Sequence, residues 1–353
     1  QVPGIVVYRW EAPLFFANAG QFRQQIRRLV RDGQPDWVVL QCEAVTDVDV
    51  TAAEFRALFQ AVSNWGRWGE DDERGTLNEL SADRVVAATR LVGSGETVTL
   101  SHPWDTEESL DNPHPAEHRM TLLPDVDIGS GTLRFAKDYV GVDYHNDTHT
   151  HIDALCHVAF DGAFYNGKPS AALTRTAAGV NTIEAVKNGL VGRGVLLDMP
   201  RLRGVPWRER GERSVREDLE AAEREQGVTV GKGDILLVRT GHARRLRELG
   251  PWDTTKAKAG LHPTTVLYLA ERSVAVLGSD CNSDTAPSTT EGIGFPIHAL
   301  TLNAMGLPLI DYLQFEDLVP ACEREGRWEF LFVAAPLRIV GGTGSPLNPI
   351  AVF

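Results

Sequence analysis

The sequence predicts a mixed α/β fold, in which strands and helices alternate loosely along the chain. Three apolar runs, Gly194–Met199, Asp234–Gly241 and Ser273–Gly278, have the length and composition of buried strands. Two helices are predicted between them: the charged segment Val215–Gln226, and Pro263–Glu271, where proline stands at a favourable first position. Buried strands separated by helices are typical of a layered α/β core.

The first 53 residues form a strand–helix–strand–helix pattern of their own. Strands are predicted at Gly4–Trp10 and Trp37–Leu40, on either side of a helix at Asn18–Arg31. Thr51 is a suitable N-cap for a second helix that covers Ala52–Val62.

Two stretches of this segment are distinctive: residues 9–19 (RWEAPLFFANA) and residues 45–52 (VTDVDVTA). On these residues the segment resembles part of a STAS domain, in particular the one that follows the membrane part of SulP-type anion transporters. It covers about half of such a domain, and half a domain cannot close its own sheet. The segment would therefore pack on the domain after it or be poorly ordered, and it carries no expectation of transport. We predict a partial STAS-like segment at residues 1–53 and one domain at residues 54–353; a gene-fusion or start-site artefact is the other explanation of the first segment.

The larger domain contains several further predicted elements. Residues 102–131 contain four prolines and are predicted to be a long loop, which in a compact domain is usually functional or mobile. The remaining predictions are a helix at Ser81–Val92 capped by Ser81, a strand at Thr97–Ser101, helices at His298–Met305 and Phe315–Arg324, and a strand at Phe330–Pro336.

Composition excludes several classes of function. The 353 residues carry a net charge of −13, which argues against a nucleic-acid backbone or an anionic membrane surface as the main partner. No apolar run has the length that a bilayer span needs. The four cysteines are widely scattered and form no CxxC pair, which favours a reducing compartment. We expect a cytoplasmic protein that acts on a small molecule.

The densest group of chemically active side chains lies at residues 145–157. Four of the ten histidines, His145, His149, His151 and His157, fall within these thirteen residues, interleaved with aspartates. On a strand, a gap of two residues places His151 and Asp153 on one face. Imidazole nitrogen and carboxylate oxygen are ligands that suit Zn, Mn or Fe. We therefore predict a metal site here rather than a solvated polar loop.

From residue 54 onward the chain resembles the metal-dependent cyclase family, which includes bacterial kynurenine formamidase and isatin hydrolase. The usual signature is HxGTHxDxPxH; Thr150–His157 keeps the THxD core and the last histidine, while Leu155 stands in the place of proline. Asp147 and His149 stand where the first histidine and the glycine are usual. A longer-chain branch has a histidine six residues before the THxD histidine, and His145 matches it.

Further matches are spread along the chain, and the resemblance implies a set of site residues. The matching segments are residues 64–69, 75–78, 165–167, 236–241, 278–280, 296–298 and 342–349. The resemblance implies a swivelling β/β/α fold, a homodimer or homotetramer, and the metal ligands His151, Asp153, His157, His298 and Asp311, the last replacing the glutamate that is usual there. His145 and His149 are then the candidates for proton transfer, unless one of them is a ligand or orients one.

These features together predict a metal-dependent hydrolase. One or two Zn or Mn ions with an open coordination position would lower the pKa of bound water to roughly 7 and activate it for attack on a carbonyl. The expected substrate has an amide, formamide or lactone bond and is small, cyclic or aromatic. The competing hypothesis is a regulatory or binding module, in which the metal is structural and the STAS-like segment binds the partner. A structural zinc is closed by four protein ligands, so an open position would distinguish the two.

Overall fold

A computed structural model describes residues 5–9, 28, 37–41 and 49–353 of the chain. The chain divides into two compact units, residues 1–57 with 288–294, and residues 58–287 with 295–353. Within the part that is described, no helix is both long and apolar enough to cross a membrane.

The elements have the following bounds. The strands are β1 Ile5–Arg9, β2 Trp37–Gln41, β3 Thr97–Thr99, β4 Glu117–Leu122, β5 Lys137–Gly141, β6 His151–Asp153, β7 Leu190–Asp198, β8 Arg213–Ser214, β9 Ile235–Arg239, β10 Gly260–Leu261, β11 Val276–Ser279, β12 Leu309–Asp311, β13 Glu329–Ala334, β14 Gly344–Pro346 and β15 Ile350–Val352. The α-helices are α1 Ala52–Val62, α2 Ala82–Thr89, α3 Met199–Arg203, α4 Arg216–Gln226, α5 His242–Leu249, α6 Thr265–Arg272, α7 Pro296–His298 and α8 Leu318–Glu325. Short 3-10 turns lie at Gly75–Glu79, Tyr165–Gly167, Ser170–Ala172 and Ile183–Val186, and a π-helix at Ala299–Met305.

The smaller unit contains a parallel pair of strands and the start of α1. β1 and β2 pair in parallel. At the start of α1, the Thr51 hydroxyl accepts a hydrogen bond from the Glu54 backbone N–H, and the Glu54 carboxylate accepts one from the Thr51 backbone N–H. This reciprocal capping box confirms the predicted helix start. The helix predicted at Asn18–Arg31 lies, apart from residue 28, outside the described residues.

The larger unit is built on one nine-stranded mixed sheet. Its strand order is β14–β6–β12–β11–β9–β7–β13–β15–β3, and the four middle strands β12, β11, β9 and β7 are parallel. Every residue of β9 and β11 is buried. Strands that are covered on both faces require continuous apolar runs, and the sequence has such runs at β9 and β11. The predicted mixed α/β fold is confirmed.

Two predicted elements differ from the structure. The predicted loop at residues 102–131 contains β4, which forms an antiparallel hairpin with β5. Almost every residue of this hairpin is exposed, so no apolar alternation marks it in the sequence. The helix predicted at His298–Met305 is real but starts earlier, in α7, and continues as the π-helix. Such π segments are rare and frequently lie at functional sites.

Candidate functional site

Three short strands bring the candidate side chains together. His151 and Asp153 are two residues apart on β6 and so share one face of the sheet. The neighbouring strand β12 pairs antiparallel with β6 so that Asp311 stands directly opposite His151. Directly opposite residues project to the same side, which places all three side chains in one buried cluster. On the other side of β6, Gly344 of β14 stands opposite Asp153.

The Asp153 carboxylate lies at the centre of two groups of possible metal ligands. The first group is His145, His151 and Asp153; the second is Asp153, His298 and Asp311. Within each group the potential ligand atoms all lie within 4.8 Å of one another. Asp153 belongs to both groups, as a carboxylate that bridges two ions would.

Each oxygen of the Asp153 carboxylate lies near a different ligand group. Asp153 Oδ1 lies 2.9 Å from His145 Nδ1 and 3.6 Å from His151 Nε2. Asp153 Oδ2 lies 3.6 Å from His298 Nε2, and this nitrogen is 3.4 Å from Asp311 Oδ2.

In each of these three histidines the second ring nitrogen is held by another group. His145 Nε2 is 3.0 Å from the Thr343 hydroxyl, and His151 Nδ1 is 2.7 Å from the backbone carbonyl of His149. His298 Nδ1 is 2.6 Å from Asp284 Oδ2. Metal-binding histidines nearly always have their other nitrogen fixed in this way, because the contact selects the tautomer and the ring orientation.

The carboxylates of the cluster lack the hydrogen bonds that buried acids normally have. Both oxygens of Asp153 and Oδ1 of Asp311 are buried without a hydrogen-bond partner among the described residues. Asp153 is 1% exposed and Asp311 is 2% exposed. An uncompensated buried carboxylate is costly, and a cation between the oxygens and the imidazoles would compensate for it. The residues present therefore fit a divalent metal ion.

The protonation equilibria of the cluster are strongly perturbed. Burial alone would raise the pKa of Asp153, but His157, His145 and His151 beside it hold that pKa well below its usual range. Burial raises the pKa of Asp311, against the opposing effect of His298. Burial would lower the pKa of His298, yet its contacts with Asp284 and Asp311 raise it well above its usual value. Such interdependent groups are typical of functional sites.

The other two histidines of the segment are placed differently. The His157 ring stacks on the His145 ring with a centroid separation of 3.9 Å and an interplanar angle of 10°. His157 belongs to neither ligand group, and its ring nitrogens have no hydrogen-bond partner among the described residues. Burial lowers the pKa of His157 to about 4. His149 instead has Nδ1 2.7 Å from the Asn146 amide nitrogen and Nε2 3.2 Å from the Asp105 backbone, and it does not line the cavity at the cluster.

A cavity of about 250 Å³ opens on the cluster. Besides the histidines and acids it is lined by Val158 and Phe295, which supply an apolar wall, and by Asn282, whose Oδ1 is buried without a hydrogen bond among the described residues. A larger cavity, bounded in part by Arg203 and Trp207, contains none of the predicted site residues.

Comparison with known proteins gives the family of the larger unit. The cyclase family model matches residues 98–284, more than half of the chain. The chain belongs to the cyclase family. A crystal structure described as a novel cyclase, 34% identical, superposes with a TM-score of 0.76 over 83% of this chain and 100% of its own length. An isatin hydrolase bound to the product analogue thioisatinate, 21% identical, superposes with a TM-score of 0.52 over 77% of this chain and 98% of its own, and isatin hydrolase A of Labrenzia aggregata, 20% identical, also gives 0.52.

The first residues match a second family. A STAS domain model matches residues 1–66. Two probable sulfate transporters of Mycobacterium tuberculosis, from strains CDC 1551 and H37Rv, are 48% identical over 56 residues, which is 15% of this chain. The chain spans about a tenth of the length of these transporters.

Several residues that shape this cyclase-family site carry no local signal in the sequence. Asp284 and Thr343 contact His298 and His145 from more than ten residues away along the chain, and only the fold reveals them. The Asp147 carboxylate, which replaces the usual first histidine of the signature, accepts hydrogen bonds from the Tyr312 hydroxyl at 2.5 Å and the Thr254 hydroxyl at 2.7 Å. Asp147 belongs to neither ligand group, and His145 lies beside Asp153 instead.

Proposed function

We propose that this chain is a metal-dependent hydrolase that cleaves an amide, formamide or lactone bond in a small cyclic or aromatic substrate. The observation that carries the proposal is the Asp153 carboxylate, buried between two ligand groups with neither oxygen hydrogen-bonded by a described residue. The family membership and the fold shared with an isatin hydrolase support it.

The proposed ligands follow the two groups. His145, His151 and Asp153 would hold one divalent ion, and Asp153, His298 and Asp311 a second. Mixed imidazole and carboxylate ligands suit Zn or Mn. An ion bound there supplies Lewis acidity, which polarises a carbonyl and lowers the pKa of water. Thr343, Asp284 and the His149 carbonyl keep the imidazoles in the orientation that binding needs.

The geometry supports exchanging the roles that the sequence suggested for His145 and His157. His145 has one nitrogen at the ligand group and the other on Thr343, so neither is available to carry a proton. His157 lines the cavity, and both of its nitrogens lack a protein partner among the described residues. We assign His157 to proton transfer between water and the leaving group. The His149 side chain contacts Asn146 and Asp105, and the backbone carbonyl of His149 would orient the His151 ring.

The substrate side of the cavity favours a flat molecule with a polar edge. Phe295 lies on one side with its ring 5.7 Å from that of His298. The unpartnered Asn282 side chain could form a hydrogen bond with a polar substrate group. Excluding water from such a cavity strengthens every polar contact inside it.

Metal removal and reconstitution test the proposal. The purified chain would be screened against formamides, lactones and cyclic imides, then depleted with a chelator, and its metal content measured by mass spectrometry. We expect hydrolysis to disappear with the metal and to return with Zn or Mn. His151→Ala should lose metal and activity together, whereas His118→Ala, at an exposed hairpin position, should keep both.

Two results would contradict the proposal, the first by excluding the metal mechanism and the second by excluding an enzyme. Hydrolysis that persists after complete metal depletion, or in His151→Ala, contradicts the proposed mechanism. A chain that retains tightly bound metal and hydrolyses none of the three substrate classes would instead support the alternative, a binding module with a structural ion.

A further inference from the structure

A second cavity adjoins the metal-site cavity. It measures about 340 Å³, and Asp147 and Tyr312 line both cavities. Tyr312 follows the proposed ligand Asp311 directly and adopts a positive φ of 54°, a conformation that is uncommon for a bulky residue. Because of this conformation, two consecutive residues both face the cavities. Asp311 lies in the metal-ligand cluster, and Tyr312 lines both the metal-site cavity and the second cavity.

The second cavity is rich in hydrogen-bond acceptors. Asp105, Asp111 and Asp147 all line it, and the Trp104 ring, 41% exposed, forms part of its mouth. No lysine or arginine is among the described residues that line it. Lys258 is not part of the lining; it is buried with its ammonium group 3.4 Å from Asp147 Oδ1 and 3.4 Å from the Tyr312 hydroxyl, so it interacts with the two residues that the cavities share.

Two buried polar side chains in this cavity have unused hydrogen-bonding capacity. His242 is 8% exposed, and its ring nitrogens form no hydrogen bond with any described residue. The ring is held instead by Trp252 and Tyr312, at centroid separations of 4.9 Å and 5.8 Å. Asp111 is 6% exposed and receives one hydrogen bond, from the Ser109 hydroxyl to Oδ1. Buried polar groups without partners are uncommon, and in a cavity they indicate a missing ligand.

We propose that the second cavity binds a cationic, N–H-bearing group of the substrate, such as an ammonium or amidinium, between the Asp111 carboxylate, the His242 ring and the face of Trp104. Carboxylate and unprotonated imidazole both accept N–H hydrogen bonds, and an indole face attracts a cation. Burial lowers the pKa of His242 to about 3, so its ring is an acceptor at neutral pH rather than a competing cation. A substrate with a carboxylate in this place would meet three acidic side chains and no lysine or arginine among the described residues of the lining.

This inference rests on the proposed hydrolase function, because it places the second cavity beside the reacting bond. Asp147 and Tyr312 line both regions, so the two cavities meet at these residues. A substrate would present its carbonyl to the metal cavity and its cationic end to the second cavity.

Binding of matched probes tests the inference without requiring turnover. Benzylammonium, benzyl alcohol and benzoate have the same ring and differ in charge. Calorimetric titration of each into the metal-loaded full-length chain should show saturable binding of benzylammonium and weaker binding of benzyl alcohol; benzoate can coordinate the metal ion, so any binding of benzoate should be unchanged in Asp111→Asn. Asp111→Asn should weaken benzylammonium binding about tenfold, since a charge-assisted hydrogen bond is lost. Trp104→Leu, at a partly exposed position, should weaken it about threefold.

The control separates the site from the overall negative charge of the protein. Asp71→Asn makes the same chemical change at a fully exposed carboxylate that lines neither cavity, and it should leave the affinity within about twofold of the original. Equal binding of benzyl alcohol and benzylammonium, an unchanged benzylammonium affinity in Asp111→Asn, or an equal loss in Asp71→Asn overturns the inference.

Kinetics test whether the cation site belongs to the substrate. With any substrate that the hydrolysis screen identifies, benzylammonium should inhibit competitively. Inhibition that is purely non-competitive would show a separate ligand site and would overturn the assignment to the substrate. If the screen finds no hydrolysis, the binding results still decide the cation preference, so failure of the proposed function and failure of this inference are distinguishable.

Discussion

His145 and His157 are adjacent parallel rings that have different sets of partners. His145 Nδ1 lies 2.9 Å from Asp153 Oδ1 in the ligand group, and His145 Nε2 is 3.0 Å from the Thr343 hydroxyl. His157 has no hydrogen bond from its ring to any described residue. A ligand must be oriented, whereas a proton carrier must have a nitrogen open to the cavity, so the difference in partners separates the two roles.

Substituting each ring separately tests this assignment. His157→Gln should keep the metal content of the original chain and lower kcat about 100-fold or more, because the proton-transfer group is removed while the ligands stay. His145→Gln should lower metal affinity at least about tenfold, because the ligand group loses an imidazole. Metal analysis beside steady-state kinetics distinguishes them, and loss of metal in His157→Gln with retention in His145→Gln would restore the assignment predicted from sequence.

The sequence could locate this cluster but could not assign its roles. His145, His151, Asp153 and His157 lie within thirteen residues, so residue type and spacing alone indicate a metal site. Asp284 and Thr343 each contact one ring nitrogen, of His298 and His145 respectively, and so decide which nitrogen remains free to bind a metal ion. Both residues are far from the motif along the chain, and no periodicity in the sequence connects them to it.

His242 gives a prediction about pH. Burial lowers the pKa of His242 to about 3, while an unfolded chain has an ordinary histidine pKa of about 6.5. Between these values only the unfolded state binds the proton, so the contribution to stability is present above pH 6.5 and is lost as the pH falls. We expect His242 to account for about 2 kcal/mol of lost unfolding free energy between pH 7 and pH 5.

Chemical denaturation of the metal-free chain at these two pH values measures the effect without metal release. The difference between the two unfolding free energies should be smaller by that amount in His242→Gln. His118→Gln, at an exposed position, controls for the loss of a histidine as such. A pH dependence in His242→Gln equal to that of the unchanged chain would contradict the prediction.

At the scale of elements, strand β14 requires glycine where it passes β6. A Cβ atom at Gly344 would lie 2.4 Å from the Ile152 carbonyl oxygen and 2.8 Å from His145 Cε1. Gly344 therefore forms part of the wall of the site. Because Gly344 has no side chain, the His145 ring can lie against β14 and approach Asp153.

Gly344→Ala should displace the strand or the imidazole. We expect a loss of about 1–3 kcal/mol in unfolding free energy from overpacking, together with weaker metal binding. Gly93→Ala is the matched control, because a Cβ atom there meets nothing within 4 Å. Thermal unfolding and metal titration of both variants measure the two effects, and unchanged metal affinity in Gly344→Ala would show that His145 does not depend on this contact.

The elements that were predictable and those that were not differ in their burial. The central strands β7, β9 and β11 are covered on both faces, and their continuous apolar runs allowed them to be predicted as strands. Almost every residue of the β4–β5 hairpin is exposed, so its sequence has no strand periodicity, although its backbone groups pair regularly.

At the scale of the whole molecule, that hairpin and the loop between its strands carry many exposed apolar side chains on their surface. The residues concerned are each between 43% and 63% exposed: Met120, Leu123, Val126, Ile128, Leu133, Phe135, Tyr139 and Val140. Monomeric proteins rarely leave so many large apolar side chains together in solvent. We expect a second copy of the chain to cover this surface, which accords with the homodimer or homotetramer predicted from the family resemblance.

Removing apolar surface from the loop should dissociate the assembly without unfolding the chain. The double variant Leu133→Ser/Phe135→Ser changes two side chains that are 63% and 44% exposed, so little core packing is lost. Sedimentation velocity at micromolar concentration should report a dimer or tetramer for the unchanged chain and a smaller species for the variant. Leu249→Ser, 59% exposed at the end of α5, should leave the mass unchanged. A monomeric unchanged chain, or equal masses for both chains, would contradict the prediction that a second copy covers the hairpin.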